Sequence, residues 1–201
     1  VHEAALVELA TRPYDAISVE TIARRAGVHR ATLYRRWSTV EGVVAAALGE
    51  AAQDRIPVPD EGSLEADLVA LAGALARTLS DPLGLGVMRV MVLGGRGPGP
   101  LYALGQQFWR GRVEGMSVIV RRAVDRSELP VRTDARVLLG ALAAPICYQA
   151  LVVGRDPDAG DALLAARATI VAAQAGLFAE HGPAASSEQR ERELQNTPEP
   201  G

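Results

Sequence analysis

The run VETIARRAGVHRATLYRRWS, residues 19–38, constrains the fold more than any other stretch of this chain. Ile22, Ala23 and Ala26 follow Val19 along one helix face, Gly27 breaks the run, and Leu33 and Trp37 resume an apolar face on a second helix. Two short helices crossing at a tight turn need a small residue at the crossing, a glycine in the turn and a bulky apolar anchor under the second helix. Ala23, Gly27 and Leu33 stand at those offsets. The other positions of the second helix carry His29, Arg30, Thr32, Tyr34, Arg35 and Arg36, rich in donors for phosphate oxygens and base edges. The pattern reads as a helix-turn-helix that enters the major groove of double-stranded DNA.

Charge supports a local, oriented surface. Residues 18–37 hold five Arg and one Glu, whereas the whole chain carries a formal net charge of -3. Arg30 and Arg35 are candidates for guanine O6 and N7, because a guanidinium offers two coplanar donors. Thr32 can touch a thymine methyl or a phosphate. Thr21, Arg24 and Arg36 are expected to hold the DNA backbone and set register. His29 reads as a turn or cap residue, and Leu33 and Trp37 as core.

The rest of the chain reads as helices. One is expected over residues 2–10, a second after a Ser18 cap, a recognition helix near 30–37, and a fourth from a Ser38–Thr39 cap to about Gln53. IPVPDEG interrupts helical structure and marks a domain boundary. Further helices are expected from Ser63 with Asp67 behind it as a capping signal, up to Leu93, over 101–125, over 135–153 with a kink at Pro145, and over 159–178. GGRGPGP reads as a loop. The last two helices are apolar around most of their circumference, which predicts burial on more than one side and an antiparallel pair shared with a second copy. Arg136, Arg155, Asp158, Asp161 and Arg167 argue against reading them as membrane spans. The expectation is therefore an all-α chain of about nine helices: a DNA-binding domain over 1–54, a ligand-binding and dimerisation domain over 55–181, and a polar, disordered tail over 182–201.

Enzymatic readings find little to rest on. The chain has no Lys, so P-loop and Schiff-base chemistry are excluded. His2, His29 and His181 are scattered, which leaves no metal-ligand spacing, and no cofactor is expected. A single cysteine, Cys147, and no secretory signal point to the cytoplasm.

The chain resembles the tetracycline-repressor (TetR) family of bacterial transcription regulators, through AAL at 4–6, SVETIARRAGVHRATLYRRW at 18–37 and STVEGVVAAAL at 38–48. The stretch from SELP to PICYQALVVG, within 127–154, looks like a C-terminal type common in that family. The resemblance implies an all-helical homodimer, Tyr34 as a phosphate contact, and a cavity among the middle helices for a small-molecule effector. Candidate lining residues are Met88, Met91, Tyr102, Phe108, Trp109, Arg112, Cys147, Tyr148 and Gln149, the last two being polar groups within an apolar helix. Members usually carry a basic arm before the first helix, whereas this sequence opens at Val1, and Val40 stands where a phosphate-contacting Lys is common. Both departures lower the expected affinity for DNA. The function implied is a ligand-responsive repressor on an inverted-repeat operator; the alternative is a helical small-molecule sensor or interaction protein with weak residual DNA binding.

Overall fold

The computed structural model describes residues 1–51, 57–93 and 99–179, and nine α-helices form among them. α1 (His2–Thr11) leads through a 3-10 turn at Tyr14–Ala16 into α2 (Val19–Ala26), α3 (Arg30–Arg36) and α4 (Val40–Ala51). α5 (Leu64–Ser80), α6 (Pro82–Leu93), α7 (Pro100–Asp125), α8 (Ala135–Tyr148) and α9 (Ala159–Gln174) follow. Residues near 54, most of the GGRGPGP stretch and the tail beyond 181 lie outside the described residues.

Local chemistry sets the helix starts. The Thr21 N–H donates to Ser18 Oγ and the Ser18 N–H to Thr21 Oγ1, both at 3.1 Å, a reciprocal cap that fixes where α2 begins. Ser63 Oγ accepts from the Ala66 N–H (3.2 Å), and Asp134 Oδ1 from the N–H groups of Arg136 and Val137. Asp67, expected to help cap α5, does something else. It is fully buried, accepts the Glu61 N–H at 2.6 Å and lies 3.7 Å from the Arg126 guanidinium. It ties the incoming strand of linker to α5 and α7.

Two helix ends differ from the sequence expectation. α8 stops at Tyr148 and continues as a π turn over Gln149–Val153. Pro145 supplies no N–H to the ladder, and the winding loosens within one turn of it. α9 ends at Gln174, short of Phe178, where the chain turns at Gly176 and the Leu177 N–H returns to the Ala172 carbonyl. Phe178 then packs against the core, and its carbonyl accepts the Asp134 N–H at 2.7 Å.

Apolar residues collect into two cores. The larger unites α5, α7, α8 and α9 around Leu68, Leu79, Ile119, Leu138, Leu142 and Ile146. The smaller unites α1 to α4 around Ile22, Leu33, Val43, Val44 and Leu48, and is closed by Val87, Val90 and Met91 of α6 and Leu101 of α7. α6 therefore faces both cores, since Met88 on the same helix belongs to the larger one. Contact with α1 is close: a Cβ at Gly86 would stand 2.3 Å from the Leu9 carbonyl oxygen, so only glycine lets these backbones approach so far. Residues 135–153 are long and apolar enough to cross a membrane, yet Leu138, Leu142 and Ile146 on that segment are buried inside the protein.

Candidate nucleic-acid interface

The turn between α2 and α3 is built around Gly27. Its φ of 66° is left-handed, and the Val28 N–H closes back onto the Ala23 carbonyl at 3.1 Å. α3 follows from a His29 cap, Nδ1 accepting the Ala31 N–H at 3.4 Å. Leu33 is completely buried, whereas Arg30, Thr32, Tyr34, Arg35 and Arg36 on the same seven-residue helix are all exposed, and Arg24 of α2 is exposed as well. The Arg36 guanidinium lies 4.9 Å from the centroid of the half-buried Trp37 ring, which also meets His2 edge-on at 5.8 Å. Thr21 differs from the others: its hydroxyl also donates to the Ser18 carbonyl at 2.9 Å, so its first role is local.

Two carboxylates shape this surface, and neither was singled out in the sequence. Glu8 is buried beneath it, with Arg25 Nε at 2.6 Å and Arg12 Nε at 3.3 Å. Burial pushes its carboxyl up, but the Arg25 hydrogen bond and the two guanidinium charges outweigh this and hold it below the usual range. Glu20 accepts the Tyr34 phenol at 3.0 Å. Its own backbone N–H and Tyr34 together hold the Glu20 carboxyl down, and the same hydrogen bond raises the Tyr34 phenol. The phenol proton is thus committed to Glu20 in the free protein.

A cavity of about 280 Å³ lies between α5, α6, α7 and α8. Met88, Phe108, Trp109 and Arg112 line it, joined by Leu71, Leu75, Val113, Met116, Arg136, Leu139, Gly140, Leu142 and Ala143. Five other candidates sit elsewhere. Met91 points into the smaller core, where α6 meets the helix-turn-helix. Tyr102 is over a third exposed, and Tyr148 more than half. Cys147 is partly buried against the larger core, burial raising its thiol, and Gln149 opens the π turn. Position along the helices explains part of the split: Met91 lies one turn beyond Met88 on α6, past the cavity, whereas Tyr102 lies six residues before Phe108 and faces a different side of α7.

Both halves of the chain match models of one family. Residues 2–47 match that of the bacterial regulatory proteins of the tetR family, and 58–181 match the tetracyclin repressor-like C-terminal domain. The chain belongs to the TetR family. It is 30% identical over 142 residues to the HTH-type transcriptional regulator AqdR of Rhodococcus erythropolis, covering 71% of this chain and 68% of that protein. To the HTH-type transcriptional regulator YdeS of Bacillus subtilis it is 30% identical over 148 residues, 74% of this chain and 75% of the other. The fold is similar to that of MexZ, a repressor of Pseudomonas aeruginosa, with a TM-score of 0.63 at 20% identity, over 90% of this chain and 96% of that one. This TetR-family protein is a helix-turn-helix transcriptional regulator, of a family whose members bind DNA and form dimers.

One more surface bears on that conclusion. In the single TetR chain Val152, Leu164, Val171 and Leu177 are each about two-thirds exposed, and Val137, Tyr148, Val153 and Leu163 also face outward. They lie on α8, the π turn, α9 and the turn after it, opposite the faces packed into the larger core. Apolar exposure on this scale marks an interaction face.

Proposed function

We propose that this regulator is a ligand-responsive repressor that binds an inverted-repeat operator as a homodimer in the cytoplasm, and has no enzymatic role. Division into 1–54 for DNA binding and 55–181 for ligand binding and dimerisation is part of the same reading. Arg30 and Arg35 read guanine, Thr32 meets a thymine methyl or a phosphate, and Tyr34, Arg24, Arg36 and Thr21 hold the backbone. The apolar outer faces of 135–153 and 159–178 pair with those of a second copy. Two recognition helices then stand about 34–36 Å apart or wider, which sets the half-site spacing, and the two-fold axis between them makes the operator an inverted repeat.

One observation carries the regulatory part. α6 gives Met88 to the cavity and Val87, Val90 and Met91 to the core beneath the helix-turn-helix. A ligand that reshapes the cavity therefore acts on the helix against which α1 rests. It favours one of two helix-turn-helix spacings, and operator affinity follows from the difference in its affinity for the two. A band-shift titration on the DNA flanking the gene, with and without compounds that bind the protein, tests this. A compound that fills the cavity and leaves operator affinity untouched would refute the switch. Association that ignores the repeat and fades with salt would refute the repressor itself.

A further inference from the structure

The chemistry of the cavity wall narrows what it can hold. Among the described residues its charged side chains are two guanidinium groups, Arg112 of α7 and Arg136 of α8; Trp109 adds an indole N–H donor, and the other lining residues are apolar or glycine. Arginine donates hydrogen bonds and accepts none, and the walls bring no hydroxyl, amide or carboxylate side chain. A ligand's polar end must therefore supply acceptors, and a cation would meet like charge. Arg136 is exposed and lines both the cavity and an adjoining outer trough of about 580 Å³, which shares Trp109 and Val113 with it. Arg136 and Trp109 thus stand at the mouth. The trough adds Gln106, Arg110 and Glu114, so the charge there is still positive on balance. Leu71, Leu75, Met116 and Leu142 form an apolar interior.

We propose that the cavity takes an amphipathic carboxylate, its apolar body among the leucines and its acid group between Arg136 at the mouth and Arg112 of the cavity wall. This rests on the cavity being the effector site. Guanidinium and carboxylate match in plane and spacing, so one or two such pairs fix the ligand's orientation as well as its charge. Burial disfavours the charged form of Arg112, and an anion beside it favours that form. The inner volume suits a medium-length chain or a single ring system rather than a large polycyclic body.

Calorimetric titration of the full chain, without DNA, with octanoate, octanol and octylamine reads the ligand class directly. Octanoate should bind about tenfold more tightly than octanol, the worth of one charge-assisted hydrogen bond, and octylamine more weakly still. Arg136→Met, at an exposed position, and Arg112→Met should each shrink the acid's margin over the alcohol while leaving octanol binding within about twofold. Octanoate should also change tryptophan fluorescence, and Trp109→Phe should abolish that change. Equal binding of acid and alcohol, a preference for the amine, or no binding of octanoate would overturn the proposal. A parallel band shift keeps the two readings apart. Acid that binds with the expected preference but leaves DNA affinity unchanged overturns the regulatory role and leaves the ligand class standing.

Discussion

Gly86 offers a sharp test of how the two cores are joined. In Gly86→Ala the new methyl would sit 2.3 Å from the Leu9 carbonyl oxygen, 2.9 Å from its carbon and 3.4 Å from the Ala10 nitrogen. All three are backbone atoms, so no side chain can swing aside. Relief to ordinary contact needs α6 and α1 to separate by about 1 Å, and overpacking of that kind costs about 1–3 kcal/mol. Alanine also gains about 1 kcal/mol of helix propensity over glycine, which must be subtracted. Gly115→Ala supplies that subtraction, because a Cβ at Gly115 of α7 meets nothing within 4 Å. Urea unfolding at fixed protein concentration should place Gly86→Ala about 1–3 kcal/mol below Gly115→Ala. Operator affinity should fall in the first variant alone, since α6 carries the floor of the helix-turn-helix. Equal stability of the two variants would refute the close approach of α6 to α1.

Four other outcomes follow from the same geometry. Arg30→Ala should weaken specific binding by about 1–3 kcal/mol and relax sequence preference, and an unchanged footprint would remove Arg30 from the base-reading set. Glu20→Gln should tighten binding, because it takes a negative charge from beside Tyr34 on the DNA side; weaker binding in a salt titration would contradict this. Glu8 has a lowered folded pKa, so its contribution is complete above the unfolded value of about 4.3 and is lost as pH falls through the folded one. Glu8→Gln should therefore lower stability near pH 7 and flatten the decline as pH falls below the ordinary carboxylate range, as followed by circular dichroism. Leu164→Glu should yield monomers in sedimentation and abolish operator binding, whereas an intact dimer would move the interface away from α9.

The helix-turn-helix was legible because its determinants are local. Ala23, Gly27 and Leu33 are set by spacing within one turn and two helices, and Ser18 announces its own cap. The family resemblance rests on the same residues. Contacts between distant segments were harder to see. Arg136 lines the cavity only because α8 crosses α7, and the Gly140 and Ala143 that follow it on one helix face were the available hint. Glu20 and Tyr34 meet across the turn, 14 residues apart in sequence; Tyr34 reads there as a phosphate contact, and nothing local pairs it with Glu20. Asp67 looked like helix-start charge, yet it turns inward to hold the linker. The end of α9 hinged on Gly176, which sits within a run apolar enough to suggest four more helical residues.

The wall that α6 and Leu101 build for the first four helices bears on protein engineering. A chimera that grafts residues 1–51 alone onto another sensor body would leave Ile22, Val43 and their neighbours facing surfaces they were not shaped for. Exchange of DNA specificity between relatives should succeed where the α1-facing side of α6 travels with the reader, Gly86 included. Otherwise, swapping only the side chains exposed on α3 leaves the seam intact.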